Sequence, residues 1–409
     1  MCGIVGYVGN RDATDVLIDG LRHLEYRGYD SAGIAVFENG QIRTIKTRGR
    51  LDDLVKKMNV EGKPIGHCGI GHTRWATHGE PSDINSHPHG NKVVSIVHNG
   101  IIENYMSIKE FLQEKGYTFE SQTDTETIAK LLDYYYRGDP LEAIRAALAK
   151  IHGSYALGII FHDFPDKVYA TRKDSPLIVG VGTDENFIAS DVPAILKYTR
   201  NYYLLEQDEI AELTADCITV TDINGDVLSK ELMTATWDIE AAEKGGYPHF
   251  MIKEINEQPT AILNTITPRI QNGLPSLNLP NLPDDSFGKY KSIQIVACGT
   301  AMHAGMIGKY LIEKMARIPV NVDIASEFRY RDLILDQDDL VIVISQSGET
   351  ADSLAALRIA KKIGAHTLAI VNVVGSSIAR EADDVIYTYA GLEIAVASTK
   401  AYAVQVAIM

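Results

Sequence analysis

Long apolar runs and secretory features are missing from this sequence. No run reaches the ~18 apolar residues that a membrane-spanning helix needs. The first residues lack the basic region and the cleavage site of a secretory signal. We therefore expect a cytoplasmic protein without a membrane partner.

Paired cysteines and positive charge are also scarce. The four cysteines form no Cys-x-x-Cys pair, so we expect neither a zinc site nor disulfides in a reducing compartment. Asp and Glu total 54 residues against 39 Lys and Arg, which gives a net charge of −15. Such a surface repels phosphate backbones, so nucleic acid is not an expected partner, although a local anion site is allowed.

The first half of the 409 residues shows short strands and a few helices. Apolar runs at residues 4–8, 33–37, 93–97 and 155–161 predict strands, and residues 124–136 predict a helix with Thr123 as its N-cap. This mixture over the first ~220 residues predicts an α+β domain of packed antiparallel sheets.

The second half alternates strands and helices. Apolar strands at residues 293–297, 320–324, 340–344, 366–371 and 385–389 are separated by helices at 301–315 and 353–363. Continuous apolar strands of this kind predict a parallel, doubly wound α/β sheet. We divide the chain into a first domain (2–235), a linker with a leading helix (236–288) and a second domain (289–409).

Residues 395–409 read as a helix without a stop signal. This pattern suggests that the chain is a fragment, or that another segment packs beyond it.

Cys2 follows the initiator methionine and precedes a strand. If Met1 is removed, one residue carries both a thiol and an α-amine, whose pKa near ~8 lets it accept the thiol proton at neutral pH. By position alone, however, a small buried residue at the start of a strand is the more common role.

Five motifs in the first half decide between these roles. They are Cys2-Gly3-Ile4-Val5-Gly6 and residues 24–33 (LEYRGYDSAG), 72–79 (HTRWATHG), 98–104 (HNGIIEN) and 121–126 (SQTDTE). In this order they resemble the motifs of the N-terminal-nucleophile (class II) glutamine amidotransferases. Their residues are most similar to those of the glutamine–fructose-6-phosphate aminotransferase family. The resemblance implies an α+β N-terminal-nucleophile glutaminase domain, with stacked antiparallel sheets between helices, and no cofactor.

The resemblance also implies catalytic roles. The Cys2 thiolate attacks the side-chain amide of L-glutamine, and the Asn99 side chain and the Gly100 N–H bind the oxyanion. Without the resemblance, the Asn99-Gly100 pair predicts a hairpin turn.

Glutamine carries an α-carboxylate and an α-ammonium that need partners. The resemblance gives the carboxylate to Arg74, which suits two parallel hydrogen bonds, and the ammonium to Asp124. Alone, each residue reads as an ordinary surface charge. The family places Thr77, His78 and His87 at the same pocket, uses Arg27 and Gly28 to support the oxyanion site, and uses Trp75 to gate an ammonia passage, for which core packing is the alternative.

A metal site is not expected at His87-Pro88-His89. Two histidines at this spacing occur often by chance, and no further ligands complete a set.

Two loops in the second half follow predicted strands and open helices. Such loops lie at the carboxyl ends of the strands, where free N–H groups and hydroxyls bind phosphate. The alternative is a serine-rich helix cap. The expected ligands in these loops are Gly299, Thr300, Ser345, Gln346, Ser347 and Thr350.

These loops resemble the sugar isomerase (SIS) domain, which implies a site for fructose 6-phosphate. The segment 396–401 also matches, and it adds Val396 and Ser398 to the site. Ala301 stands where many relatives have serine. The family carries two such domains and forms homodimers through them. Because only the first is recognisable, we expect this chain to hydrolyse glutamine without making glucosamine 6-phosphate unaided.

Two other functions compete with this prediction. Another class II amidotransferase, with a pyrophosphate-binding transferase or an ATP-using asparagine synthetase as its second half, would need an acidic pyrophosphate loop or a Ser-Gly-Gly nucleotide loop, and the second half has neither. A sugar-phosphate sensor with an inactive first domain would not need the complete set of glutaminase motifs.

Overall fold

The chain folds as two compact units, Met1–Ile239 (unit 1) and Glu240–Met409 (unit 2). The computed structural model describes residues 2–25, 28–76, 78–235 and 244–409. No helix in these ranges is both long and apolar enough to cross a bilayer. Of the predicted linker and leading helix (236–288), residues 236–243 lie outside the described residues.

Unit 1 contains two antiparallel sheets in its described part. The strands are β1 (Gly3–Gly9), β2 (Ser31–Glu38), β3 (Gln41–Arg48), β4 (Cys68–Arg74), β5 (His89–Gly90), β6 (Val94–Ile102), β7 (Gly153–Phe161), β8 (Val168–Lys173), β9 (Ile178–Val181), β10 (Glu185–Ala189), β11 (Asn201–Leu204), β12 (Ile210–Leu213), β13 (Ile218–Thr221) and β14 (Met233–Thr234). The first sheet, sheet A, has the strand order β14-β11-β9-β10-β1-β4-β2-β3, and the second, sheet B, has the order β13-β12-β8-β7-β6-β5.

Three apolar cores hold unit 1 together as four packed layers: helices, sheet A, sheet B and helices. The helices are α1 (Ala13–Arg22), α2 (Leu51–Glu61), α3 (Tyr105–Glu114), α4 (Asp124–Tyr135) and α5 (Pro140–Leu148). One core joins α1 and α2 to sheet A, and another joins α3, α4 and α5 to sheet B. The third core lies between the sheets, where Ile4 and Ile70 of sheet A meet Val97 and Ile160 of sheet B. This arrangement confirms the predicted stacked antiparallel sheets between helices.

The first turn of α4 places a charged residue in the interior. Thr123 accepts a hydrogen bond from the Glu126 N–H, as its predicted role of N-cap requires. Asp124 therefore begins the helix and is buried.

Unit 2 is built on a parallel sheet in its described part. Its strands are β17 (Ser292–Ala297), β18 (Val320–Ile324), β19 (Asp339–Ser345), β20 (His366–Val371) and β21 (Asp384–Tyr387), after a short hairpin of β15 (Ile270–Gln271) and β16 (Leu274–Pro275). The strand order is β18-β17-β19-β20-β21. The helices are α6 (Phe250–Ile266), α7 (Gly299–Met315), α8 (Ala325–Phe328), α9 (Ala351–Ile363), α10 (Ser377–Glu381) and α11 (Lys400–Ile408). Apolar cores cover both faces of the sheet, which confirms the predicted doubly wound α/β fold.

The prediction of one helix over residues 395–409 is wrong in its first part, because α11 begins at Lys400. Glu254 of α6 accepts hydrogen bonds from the backbone N–H groups of Ile394 and Ala395. Glu393 accepts those of Thr399 and Ala401. These carboxylates hold the preceding segment in a loop, and apolar periodicity alone cannot reveal them.

Candidate active site

Strand pairing in sheet A brings the N-terminal thiol to the end of β4. Gly3 pairs with Thr73, so Cys2 lies beside the two residues that follow. The backbone N–H of Trp75 donates to Cys2 Sγ (3.2 Å), and the Trp75 carbonyl oxygen lies 3.4 Å from the same sulfur. The thiol is thus held against the backbone of one residue, Trp75.

Asn99 reaches Cys2 from the other sheet. Its Nδ2 donates to the Cys2 carbonyl oxygen (3.0 Å), and its Oδ1 lies 3.0 Å from His72 Nε2. The amide nitrogen carries a second proton that can be directed at a ligand.

The hairpin turn that Asn99 and Gly100 predict in isolation is wrong. Both residues lie within β6, where they pair with Ala156 and Tyr155 of β7. Gly100 has φ +135°, and a Cβ there would overlap the carbonyl oxygen of Ser154. Only glycine fits this backbone.

Arg74 ends β4 and is almost fully buried. Its Nη2 donates to the carbonyl oxygens of His78 and Gly79, whereas Nη1 is buried and has no hydrogen-bond partner among the described residues. Burial lowers the pKa of Arg74, and the charges of Cys2 and Asp124 oppose that shift. A carboxylate is the ligand group that best satisfies such a guanidinium.

Asp124 supplies the opposite charge near the same place. Its Oδ2 accepts the Ile102 N–H (3.0 Å) and lies 4.0 Å from His98 Nδ1. Because its charge acts on Arg74, the buried site holds a cation and an anion together with Cys2. This arrangement is complementary to a zwitterionic amino acid.

Four buried histidines form a cluster that contacts Asn99 through His72: His72, His87, His89 and His98. The His72 ring stacks on His87 with centroids 4.2 Å apart, and His87 meets His89 edge-on at 5.0 Å. The N–H of His98 donates to His87 Nδ1 (3.4 Å). Burial lowers the pKa of His72 to about 3 and holds those of His87 and His89 well below their usual value, so these rings are neutral.

The remaining predicted residues of unit 1 fall around this centre. His78 packs edge-on against Tyr105, and its buried Nδ1 has no partner in the described ranges. His87 lies in the histidine stack, with its ring covered rather than open to solvent. Trp75 is 40% exposed and meets the Tyr29 ring edge-on.

Gly28 packs against the peptide that holds the thiol. A Cβ at this position would come within 2.6 Å of the Arg74 carbonyl carbon and within 2.8 Å of the Trp75 nitrogen. Arg27 and Thr77 lie outside the described residues. Within the described ranges, no group of three or more His, Cys, Asp or Glu side chains is arranged to hold a metal ion.

The predicted phosphate loops of unit 2 lie side by side. They follow β17 and β19, which pair in parallel with Ala297 opposite Ile344. Gly299, at φ +56°, and Thr300 open α7, and the second loop runs from Ser345 to the N-cap of α9 at Thr350. The loops therefore share one edge of the sheet.

The hydroxyls of the second loop are bonded within the loop itself. Ser345 Oγ accepts the Gly348 N–H and lies 3.0 Å from Thr350 Oγ1. Ser347 Oγ accepts the Glu349 N–H (3.2 Å), and the Gln346 carbonyl oxygen accepts the Asn372 N–H (3.1 Å). These contacts order the loop, and a hydroxyl oxygen that accepts an N–H keeps its own proton for a ligand.

The structure does not join Val396 and Ser398 to those two loops. Val396 is exposed, and Ser398 Oγ donates to Glu393 Oε2 (3.1 Å). No hydrogen bond within the described part of the chain links either residue to residues 298–300 or 345–350. Their place at a sugar-phosphate site stays a prediction.

Comparison with known proteins decides the family. Glutamine–fructose-6-phosphate aminotransferase (isomerizing) from Clostridium tetani is 59% identical over the whole of this chain, which covers 68% of that relative. The corresponding protein of Thermus thermophilus is 49% identical, again over the whole chain and 67% of the relative. The chain belongs to the glutamine–fructose-6-phosphate aminotransferase family.

Domain and fold comparisons agree with this membership. Residues 72–197 match the glutamine amidotransferase domain, and residues 286–409 match the SIS domain. The solved glutamine phosphoribosylpyrophosphate amidotransferase from B. subtilis is 16% identical, with a TM-score of 0.50 over 90% of this chain and 81% of that one. This last likeness concerns the fold alone. The predicted family and the fold classes of both units are thus confirmed.

Three residues of this aminotransferase-family chain make contacts that were not predicted from the sequence: His72, His98 and Glu254. His72 and His98 stand inside recognised motifs, but no role was predicted for either. Glu254 lies in the helix assigned to the linker, although α6 packs on α11 of unit 2. The signal available in the sequence was that His72 and His98 share motifs with Arg74 and Asn99.

Proposed function

We propose that this chain carries the glutaminase half and one sugar-phosphate-binding half of a glutamine-dependent amidotransferase, which transfers the amide nitrogen of L-glutamine to fructose 6-phosphate to give glucosamine 6-phosphate and glutamate, and that the chain alone hydrolyses glutamine. The observation that carries the proposal is the position of the Cys2 thiol. It lies against the Trp75 backbone and next to the Asn99 amide, and the charges of Cys2 and Asp124 both act on the buried Arg74.

The glutaminase step begins at the Cys2 sulfur. Once Met1 is removed, the free α-amine accepts the thiol proton, and the thiolate attacks the side-chain carbonyl carbon of glutamine. The C–N bond then breaks, the proton passes to the departing nitrogen, and ammonia leaves a thioester on Cys2. Water hydrolyses the thioester to glutamate and restores the thiol.

Two donors suit the negative charge that develops on the carbonyl oxygen. The proposed donors are the second proton of Asn99 Nδ2 and the backbone N–H of the next residue, Gly100, and both residues belong to β6. Removing one donor of this kind typically lowers turnover ~10²–10³-fold.

Substrate selection follows from the two buried charges. Arg74 Nη1, which has no partner within the described ranges, suits the α-carboxylate, and Asp124 suits the α-ammonium. A simple amide lacks both groups and would leave these charges without partners, so the site selects an amino acid.

For unit 2 the proposal is a phosphate site at the paired loops 298–300 and 345–350. The starts of α7 and α9 offer backbone N–H groups at the carboxyl edge of the sheet. The expected homodimer, the cytoplasmic location and the absence of sugar amination by this chain alone stay predictions.

The test compares Cys2→Ala with Cys217→Ala. Cys217 is a free, exposed cysteine of the same unit and serves as the matched control. We expect Cys2→Ala to abolish release of ammonia and glutamate from glutamine, and Cys217→Ala to retain it fully. Glutamine hydrolysis by Cys2→Ala at the wild-type rate would refute the proposal. Assaying glucosamine 6-phosphate in the same samples, with fructose 6-phosphate present, tests the prediction about amination.

A further inference from the structure

The Asn99 side chain is held from both sides by groups of sheet A. Its Nδ2 donates to the carbonyl oxygen of Cys2, and its Oδ1 faces Nε2 of His72, each at 3.0 Å. His72 lies inside β4, opposite Ile4 of β1 and Gly33 of β2, and it is fully buried. The histidine is therefore as rigidly placed as the strand that carries it.

The contacts of His72 define which ring nitrogen carries the proton. Nε2 lies near two acceptors, Asn99 Oδ1 and the His98 carbonyl oxygen (3.1 Å). Nδ1 is buried without a hydrogen-bond partner in the described ranges. The ring is neutral because burial lowers its pKa to about 3. A neutral ring between two acceptors places its single proton on Nε2.

This tautomer allows only one orientation of the Asn99 amide. If the amide were flipped, its NH₂ group would meet the Nε2–H of His72, and its oxygen would meet the carbonyl oxygen of Cys2. Both contacts would be repulsive. Stacking on His87, which is itself bonded to the His98 N–H, fixes the plane of the His72 ring, and the His98 carbonyl oxygen holds the Nε2–H on this side of it.

We propose that His72 is a positioning residue for the glutaminase step: its Nε2–H holds Asn99 so that one Nδ2 proton stays on the Cys2 carbonyl and the other faces the oxyanion. The inference rests on the proposed function and deepens it. His72 touches neither glutamine nor the reacting atoms, and it acts through Asn99.

The test uses two substitutions that differ in one hydrogen-bond donor. His72→Leu removes the donor, and His72→Gln restores an amide N–H near the position of Nε2. We expect His72→Leu to lower kcat for glutamine hydrolysis ~10–100-fold, less than the full loss of an oxyanion donor, and to change KM less than about twofold. His72→Gln should recover kcat to within about fivefold of the wild type.

A ligand that imitates the tetrahedral intermediate separates positioning from general damage. Glutamate γ-semialdehyde adds the Cys2 thiol at its aldehyde and places an oxyanion in the same donors, whereas L-glutamate does not. His72→Leu should weaken binding of the aldehyde by about the factor lost in kcat and leave binding of L-glutamate within about twofold. Equal losses for both ligands, or equal impairment of the Leu and Gln variants, would overturn the proposal.

One further measurement does not depend on the variants folding. A histidine-selective ¹⁵N spectrum of the wild-type chain reports the tautomer of His72, and a proton on Nδ1 would contradict the inference. Failure of the His72 inference can be told apart from failure of the proposed glutaminase function. In the first case the wild type still hydrolyses glutamine and Cys2→Ala does not. In the second case, thiol-dependent hydrolysis itself is missing.

Discussion

The candidate sites of the two units differ in how far their polar groups are already hydrogen-bonded within the protein. In unit 1, side chains from β4, β6 and α4 converge in the interior and leave buried atoms such as Arg74 Nη1 without a partner in the described ranges. In unit 2, the loop after β19 uses its own hydroxyls and N–H groups on one another. A ligand completes the first site, whereas the second loop is already ordered by its own hydrogen bonds.

This difference predicts how each site responds to substitution. A buried, unpaired charge costs stability and is retained for what it binds, so its removal should impair binding more than folding. A self-bonded loop loses some order with each hydroxyl, and the remaining N–H donors still bind an anion. The effects expected in unit 1 are therefore large and specific, and those in unit 2 small.

The largest effect is expected for Arg74→Gln. Loss of the charge-assisted hydrogen bonds to the α-carboxylate should raise KM for glutamine ~10²–10³-fold, equivalent to about 3–4 kcal/mol. The free energy of unfolding should fall by less than ~1 kcal/mol, because the removed group was buried and only partly bonded. Glutaminase kinetics and urea unfolding measure the two quantities.

Arg43→Gln is the control for this substitution. Arg43 makes hydrogen bonds to Glu38 and to backbone carbonyls at the surface of the same unit, away from the site. It should leave KM unchanged. If Arg74→Gln kept a wild-type KM, the buried guanidinium would not be the carboxylate partner.

Next in size is the effect of Gly100→Ala. The added methyl group meets the Ser154 carbonyl in a backbone with φ +135°, so unfolding should require about 2–4 kcal/mol less and glutaminase activity should be lost. Gly116→Ala is the matched control, since φ is +90° there and nothing lies within 4 Å of the new Cβ. It should cost ~1 kcal/mol and keep activity. Equal effects of the two substitutions would show that the close approach at β6 does not matter.

A smaller effect, on stability alone, is expected from pH. The unfolded chain protonates its histidines near pH ~6.5, whereas His72 in the folded chain resists protonation down to a pKa of about 3. The stability that the neutral ring contributes is complete above pH ~6.5 and is lost as the pH falls toward about 3. The slope is at most ~1.4 kcal/mol per pH unit for each such histidine.

Urea unfolding followed by tryptophan fluorescence at several pH values between about 7 and 4 measures this slope. His72→Gln should reduce it by about one proton, because the variant has no ring to titrate. An unchanged slope would contradict the burial of a neutral histidine at this position.

The smallest effect is expected in unit 2, for Ser345→Ala. The loop loses one hydroxyl that bonds Gly348 and Thr350, so fructose 6-phosphate binding should weaken only about 3–10-fold, by about 1 kcal/mol. Ser286→Ala removes a surface hydroxyl of the same unit and should have no effect. Calorimetric titration with the sugar phosphate measures both. A loss greater than about 100-fold would show that this site depends on single side chains, as the first does.

The sequence predicted local structure well where local patterns cause it. The apolar runs indicated strands of both sheets of unit 1 and the parallel core of unit 2, and the Thr123 cap follows from hydrogen bonding within one turn. The start of α11 was wrong because Glu254, far away in sequence, holds the preceding backbone in a loop. Asn99-Gly100 resembles a turn only when its pairing with β7 is unknown.

The motifs singled out candidate residues of the site but not the contacts that support them. Cys2, Arg74, Asn99 and Asp124 were predicted from the family resemblance, because each of them alone has a common structural role. The role proposed for His72 arises from a contact between sheets, and no spacing along the chain encodes it. Contacts of this kind require the fold.

The most direct test of the central claim is to label the wild-type chain with a glutamine-mimicking diazoketone and to map the adduct by mass spectrometry. We predict a single adduct on the sulfur of Cys2, in a chain that starts at Cys2, and loss of ammonia release in step with labelling. An adduct on Cys68, Cys217 or Cys298 would contradict the account. So would full-rate ammonia release from a chain that still carries Met1.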